Sequence, residues 1–201
     1  MATHVHRCRR AHRSAARYVT RRSRPGSLGA VGTMQKGDLH EPFGQYPMSK
    51  RSFGLADPSR LATMSGRDLM QAMIDGAIPQ PPIGQAMCFY LVEVGDGFVV
   101  FEGNPDAQLL NPLGHVHGGF ALTVIDSACG AAAHSLLGPG VGFGTIETKG
   151  NFCRPITRDT GRLRAEGRVV SQGRRVILSE ARILSSDGRV MAHGTSTVMV
   201  L

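Results

Sequence analysis

The chain has 201 residues, 41% hydrophobic and 19% charged, a globular composition that excludes a fibrous or wholly disordered protein. Its net charge of +8 is confined to the first 50 residues, where ten basic side chains stand against two acidic ones; the other 151 residues carry thirteen of each sign. A neutral body of that length suits one domain with a sizeable core and leaves no room for a second.

Residues 1–47 are rich in Arg, Ser, Gly and Ala, contain no acid before Asp38 and show no hydrophobic periodicity, so they read as a disordered basic tail. Three origins fit it: an Arg- and Ser-rich presequence, a nucleic-acid-binding segment, or an upstream extension absent from the working protein, with Met34 and Met48 as alternative starts. No apolar h-region argues for secretion. The domain proper is expected over 48–201. Four cysteines, at positions 8, 88, 129 and 153, form no CxxC pair, and the last three sit in apolar stretches, which suggests reduced core thiols of a cytoplasmic protein.

Ser65-Gly-Arg-Asp68 has the form of a helix cap ahead of Leu69, Met70, Met73 and Ile74, predicting one short amphipathic helix that ends near Gly76. Pro79, Pro81 and Pro82 forbid its continuation. Two β-rich runs follow, Met87–Val94 and Phe98–Glu102, joined by the hairpin tripeptide Gly95-Asp-Gly97. The only long helical stretch is His117–Leu137, crowded with Gly, Ala and Ser. Asp126 near its centre would cost about 2.5–3.5 kcal/mol in a bilayer, so a buried helix is expected rather than a membrane span.

Past Gly138-Pro-Gly140 the pattern changes to period two. Strands are expected over Gly142–Phe152, from Leu163 to Val169, over Val176–Leu184 and over Val190–Val200, punctuated by Gln172-Gly173 and Ser186-Asp-Gly188. Strands grouped on both sides of one buried helix predict an α+β fold in which a curved antiparallel sheet wraps a long central helix, preceded by a short helix and the tail.

The chemistry concentrates in Asn111-Pro-Leu-Gly-His-Val-His117-Gly118-Gly119 and in Asp126. A helix N-terminus offers unpaired N–H groups and partial positive charge, and two glycines there let a ligand approach the backbone, an oxyanion site in kind. Asp126 lies eight residues on, about 12 Å along a helix, too far to serve the same carbonyl. Two copies with this helix side by side and antiparallel would bring Asp126 of one beside Gly118 of the other, which points to a two-fold dimer with shared sites. His115-x-His117 has no third ligand at a metal-binding spacing, so no metal is expected.

The set Asn111…Gly114…His117-Gly-Gly119…Asp126, with Thr145-Ile-Glu147, Asn151-Phe-Cys-Arg-Pro155, Gly173-Arg174 and Asp187-Gly-Arg189, resembles the PaaI-like acyl-CoA thioesterases of the hotdog-fold superfamily over residues 48–201. The resemblance implies a homodimeric or homotetrameric hydrolase of acyl-CoA, needing no cofactor, membrane or nucleic acid. It implies that the Gly118 N–H polarises the thioester carbonyl, with Gly119 alongside, and that Asp126 of the neighbouring subunit acts as general base or nucleophile. Asn111 would hold water or thioester, His117 would position the thioester or assist the thiolate, and Thr145 would support Asp126. Arg154 and Arg174 are candidates for the phosphates of coenzyme A. Pocket side chains such as Phe120, Phe143 and Phe152 would admit aromatic or medium-chain acyl groups equally well, and the resemblance alone favours an aryl group of the phenylacetyl type. A rival reading is a non-catalytic acyl-CoA sensor whose basic tail binds nucleic acid; a dehydratase would need a different Asp/His arrangement.

Overall fold

A computed structural model describes residues 51–201; the expectations for the tail, for Met34 and Met48 as starts and for Cys8 concern positions outside the described residues. Three short helices, α1 (Pro58–Thr63), α2 (Gly66–Ile74) and α3 (Pro82–Ala86), precede the first strand, where the sequence suggested one. Asp57 caps α1, its carboxylate accepting from the Ser59 N–H, and Ser65 caps α2 by accepting from the Asp68 N–H. The prolines do end the α2 run, but Pro82 also starts α3, because a helix's first turn needs no N–H there and the ring presets φ.

The strands are β1 (Phe89–Gly95), β2 (Phe98–Gly103), β3 (Phe143–Phe152), β4 (Leu163–Gln172), β5 (Val176–Leu184) and β6 (Val190–Val200), close to the expected limits. They form one antiparallel curved sheet in the order β1-β2-β4-β5-β6-β3. Asp96-Gly97 closes the first hairpin with Gly97 at φ +67°, and the Gly97 N–H donates to Ser135 Oγ at 2.8 Å, tying the turn to the helix α4 (Gly118–His134). β3 follows α4 in the chain yet pairs with β6, so the last-placed strand of the sheet carries the first run after the helix. Among the described residues its other edge has no partner strand.

The sheet wraps α4, the arrangement the resemblance implies. Ile125, Ala128, Cys129 and Ala132 of α4 are fully buried against it. The fit depends on missing side chains. A Cβ on Gly167 of β4 would collide with the Ala128 carbonyl, and one on Gly194 of β6 would lie 2.9 Å from Ile125 Cγ2 while striking the Lys149 carbonyl. Gly66 opens α2 against the end of α4, where a Cβ would strike the His134 backbone, and its N–H donates to Leu137 O at 3.0 Å. Of the three thiols here, only Cys129 is a core residue; Cys88 is half-buried and Cys153 exposed, contrary to the core assignment from their apolar neighbours. Among the described residues no helix is long and apolar enough to cross a membrane.

Replacing Gly167 by valine forces carbon into the α4 backbone, and overpacking of that kind costs about 1–3 kcal/mol. Gly167→Val should therefore lower the urea midpoint with little change in slope. Unaltered stability would show that the helix is not held this closely.

Candidate active site

The two halves of the expected constellation line different cavities. Asn111, His117, Gly118 and Arg154 surround one of about 290 Å³, beside Phe152. Asp126 and Thr145 lie on another of about 390 Å³, bounded by α2, α3, β1 and the C-terminal half of α4.

The first half is shaped by its own backbone. Asn111 Oδ1 accepts from the N–H groups of Leu113 (2.9 Å) and His115 (3.2 Å), and the turn is completed by Gly114 at φ +79°. This leaves the Asn111 side-chain NH₂ as the group free to face a ligand. The loop is fixed to the sheet side by Val116 N–H to Ile156 O and His117 N–H to Leu109 O. His117 is the N-cap of α4: its Nδ1 accepts from the Gly119 N–H at 2.9 Å. With Nδ1 an acceptor, the neutral ring carries its proton on Nε2. Gly119 is thereby occupied in capping, whereas the Gly118 N–H has no acceptor among the described residues. A Cβ at Gly118 would sit 3.2 Å from Phe152 Cζ, so glycine is what lets the aromatic ring and the bare helix end share the cavity.

The second half centres on Asp126, half-buried on α4. Its Oδ1 accepts from Thr148 Oγ1 at 2.8 Å; Thr148 Oγ1 lies 3.0 Å from Ser196 Oγ, which contacts Glu147 O at 3.0 Å. Thr145, the hydroxyl expected to support the carboxylate, lines the cavity with Asp126, but the hydrogen bond comes from Thr148. Alternation alone puts residues three apart on opposite faces of a strand; the bulge between Thr145 and Glu147, which the sequence does not announce, shifts that phase and brings Thr148 to the face that looks at α4. Ser196, fully buried on β6, carried no sequence signal at all.

The arginines divide. Arg154 lies on the Gly118 cavity, where its Nη1 donates to Val190 O at 2.7 Å. Arg174 is in the β4–β5 turn, next to the strand ends at Val176 and Met199, about 30 Å from the Val190 end by strand rise, so within one chain the two do not converge. Of the three phenylalanines, Phe143 lines the Asp126 cavity, Phe152 the other, and Phe120 is core. Among the described residues no three His, Cys, Asp or Glu side chains cluster as a metal site. Burial pushes the Cys129 thiol up to about 12, with Asp126 and Glu180 adding to the effect; burial together with Asp106 pushes Cys88 to about 11. Both stay protonated at neutral pH, so neither is a poised nucleophile.

Comparison with known proteins now decides the family. The thioesterase superfamily profile matches residues 113–192, a span that opens beside Gly118 and includes Asp126, Thr148 and Arg154. A thioesterase family protein from Silicibacter pomeroyi is 32% identical, with a TM-score of 0.56 over 60% of this chain and 89% of that one. The chain belongs to the thioesterase superfamily. Other solved members resemble this hotdog chain too: a phenylacetic acid degradation-related protein from Ralstonia eutropha at 26% identity (TM-score 0.60, covering 66% and 99%), and, at 21% and hence for the fold alone, the Escherichia coli PaaI protein (TM-score 0.59, covering 68% and 94%). This is a PaaI-like hotdog thioesterase fold. No curated protein sequence matches the chain.

His134, at the far end of the Asp126 cavity, packs on Phe143 with ring centroids 4.8 Å apart, and burial lowers its pKa from 6.5. Above pH 6.5 the ring is neutral in folded and unfolded chains alike, so it contributes no pH dependence. As pH falls below 6.5 toward the folded value, the unfolded chain binds the proton first and stability declines. Thermal melting should show Tm dropping between pH 7.5 and 5.5, and His134→Gln should flatten part of that drop. Parallel curves for the two proteins would contradict the burial of the imidazole.

Proposed function

We infer that the protein hydrolyses acyl-CoA thioesters to free acid and coenzyme A, as a homodimer, or a pair of such dimers, in which each site takes its halves from two subunits. The observation that carries this reading is the separation of Gly118 and Asp126 into two cavities along one helix. Packing contacts run along α4 and the edge strand β3 together: Gly118 lies by Phe152, Leu122 by Gly150, and Asp126 by Thr148. Antiparallel pairing of β3 with its copy about Gly150 would therefore set Asp126 of one subunit opposite Gly118 of the other. The large apolar side chains left exposed beside that axis support the pairing: Ile146 at 58%, Phe152 at 59% and Leu122 at 37%. The same operation would carry the Arg174 end of one sheet toward the Arg154 end of the other, where both can meet coenzyme A phosphates.

In such a site the thioester carbonyl oxygen lies at the start of α4, against the Gly118 N–H and the positive end of the helix dipole, with Gly119 and the capping His117 holding that terminus in shape. Asn111 donates from its amide to water or thioester. Asp126 of the neighbouring subunit either removes a proton from water as it attacks, or attacks the carbonyl itself; the carbonyl electrons move to oxygen, return, and expel the thiolate, and in the second case water then cleaves the mixed anhydride on Asp126 to give the free acid and the restored carboxylate. Thr148 holds Oδ1 and leaves Oδ2 for the reaction. The tail and any nucleic-acid role have no part in this scheme.

Asp126→Asn should lower kcat about 10²- to 10⁴-fold against an active acyl-CoA panel, read by release of free thiol. Asn111→Ala should be similarly impaired. Mixing and refolding these two inactive proteins in equal amounts restores one intact site per mixed dimer, so about a quarter of parental activity should return; no recovery would sink the shared-site reading. Thr148→Val, near-isosteric but without the donor, should lower kcat about 10- to 100-fold at little change in KM, roughly the loss of one hydrogen bond to a charged group, and Thr148→Ser should retain most activity. Equal rates for all three would remove Thr148 from the site.

A further inference from the structure

The cavity that begins at Asp126 is a channel with a measurable length. Asp126, Ser127, Gly130, Ala131 and His134 all line it, and they form one stripe of α4 that spans eight residues, or about 12 Å. Its floor is cut by small side chains; a Cβ on Gly130 would meet only Phe143, at an ordinary 3.7 Å. Its roof is Leu69, Met70 and Met73 of α2, and that helix is fixed to β1 by the buried Gln80, whose side chain bonds Met73 O and both the N–H and C=O of Leu91. The lining is nearly all apolar, and 390 Å³ lies in the range of small-ligand pockets.

The far end is closed by side chains rather than backbone. His134, Phe143 and Leu61 border both this cavity and a second groove that continues past Gly140 and Gly142. Burial keeps the His134 ring neutral, so the stop presents no charge to a hydrocarbon. A saturated chain advances roughly 1.25 Å per carbon, taking a C–C bond of about 1.5 Å at tetrahedral angles, so 12 Å accommodates an acyl chain of about eight to ten carbons counted from a carbonyl held at Asp126; a phenylacetyl group has about half that reach.

We propose that this channel is an acyl-length ruler: it takes unbranched acyl chains of about eight to ten carbons, Gly130 sets its bore and the His134–Phe143 pair sets its end. This rests on the thioesterase reading for the position of the carbonyl, and it displaces the aryl preference drawn from resemblance. It assigns Gly130 and His134 as specificity-determining positions that take no part in bond breaking.

Two measurements separate this proposal from the reading beneath it. Thiol release is followed across straight-chain acyl-CoAs from two to sixteen carbons and phenylacetyl-CoA, and calorimetry gives the affinity of S-alkyl-CoA thioethers of the same lengths, which cannot be hydrolysed. Both kcat/KM and affinity should climb about three- to fourfold per methylene up to eight to ten carbons and then cease to rise. Gly130→Ala should shorten the optimum slightly and Gly130→Leu to six carbons or fewer. His134→Ala should extend it to twelve or more, and Leu61→Ala, at an exposed position on α1, should do the same if His134→Ala melts early. Length-dependent thioether binding without hydrolysis would uphold the channel and overturn the thioesterase reading. Hydrolysis with an optimum unmoved by both Gly130→Leu and the end-opening variant, or faster on phenylacetyl-CoA than on octanoyl-CoA, would overturn the ruler.

Discussion

Everything in this molecule follows from how closely α4 approaches the sheet. Helix and strands touch through backbone as much as through side chains, because Gly167 and Gly194 present no Cβ where Ala128, Lys149 and Ile125 already occupy the space. Close packing of this sort gains dispersion contacts over the whole helix length and leaves no slack for a larger residue. It also fixes the rotation of α4. With Ile125, Ala128, Cys129 and Ala132 turned into the sheet, Asp126 and Gly130 must face the side where α2 and α3 leave a cavity.

That rotation places the carboxylate against β3, which with β1 forms one of the two edges of the sheet among the described residues. An edge strand with unpaired backbone groups is normally blunted by charge, proline or a covering element. Here the exposed edge carries Ile146 and Phe152, and only Glu147 and Lys149 charge it. In the proposed dimer this edge would be the line along which the two cavities are joined, tying the apolar edge to the separation of Gly118 from Asp126.

The fold was legible because its elements announce themselves by period and punctuation. Val176–Leu184 alternates in burial, Val190–Val200 does so after Met191-Ala192, and the long helix is the only stretch of small and apolar residues long enough to be buried. Short helices escaped where their signals are weak: α1 buries nothing, and α3 is a single turn whose proline reads as a stop from one side and a start from the other. Strand order escaped too, since the β3–β6 pairing joins residues some fifty positions apart and no local pattern encodes it. The candidate residues on α4, Gly118, Gly119 and Asp126, stood out in the sequence as a spaced set. Their hydroxyl support was not, because which of Thr145 and Thr148 meets Asp126 depends on a bulge, and Ser196 depends on the pairing of β6.

The hydroxyl chain itself has an uneven proton count. Thr148 and Ser196 own one hydroxyl proton each, yet three contacts need one: Asp126 to Thr148, Thr148 to Ser196, and Ser196 to Glu147 O. With Asp126 ionised, Thr148 donates to it, and the single Ser196 proton then serves either Thr148 or the carbonyl, so one of the three contacts goes without a proton. With a proton on Asp126 the chain reverses: Asp126 donates to Thr148, Thr148 to Ser196 and Ser196 to the carbonyl, and every contact is filled. In the general-base form of the proposed reaction Asp126 takes a proton from water and gives it up again in each turnover, and the two hydroxyl groups could follow that change by rotation alone, with no movement of the backbone.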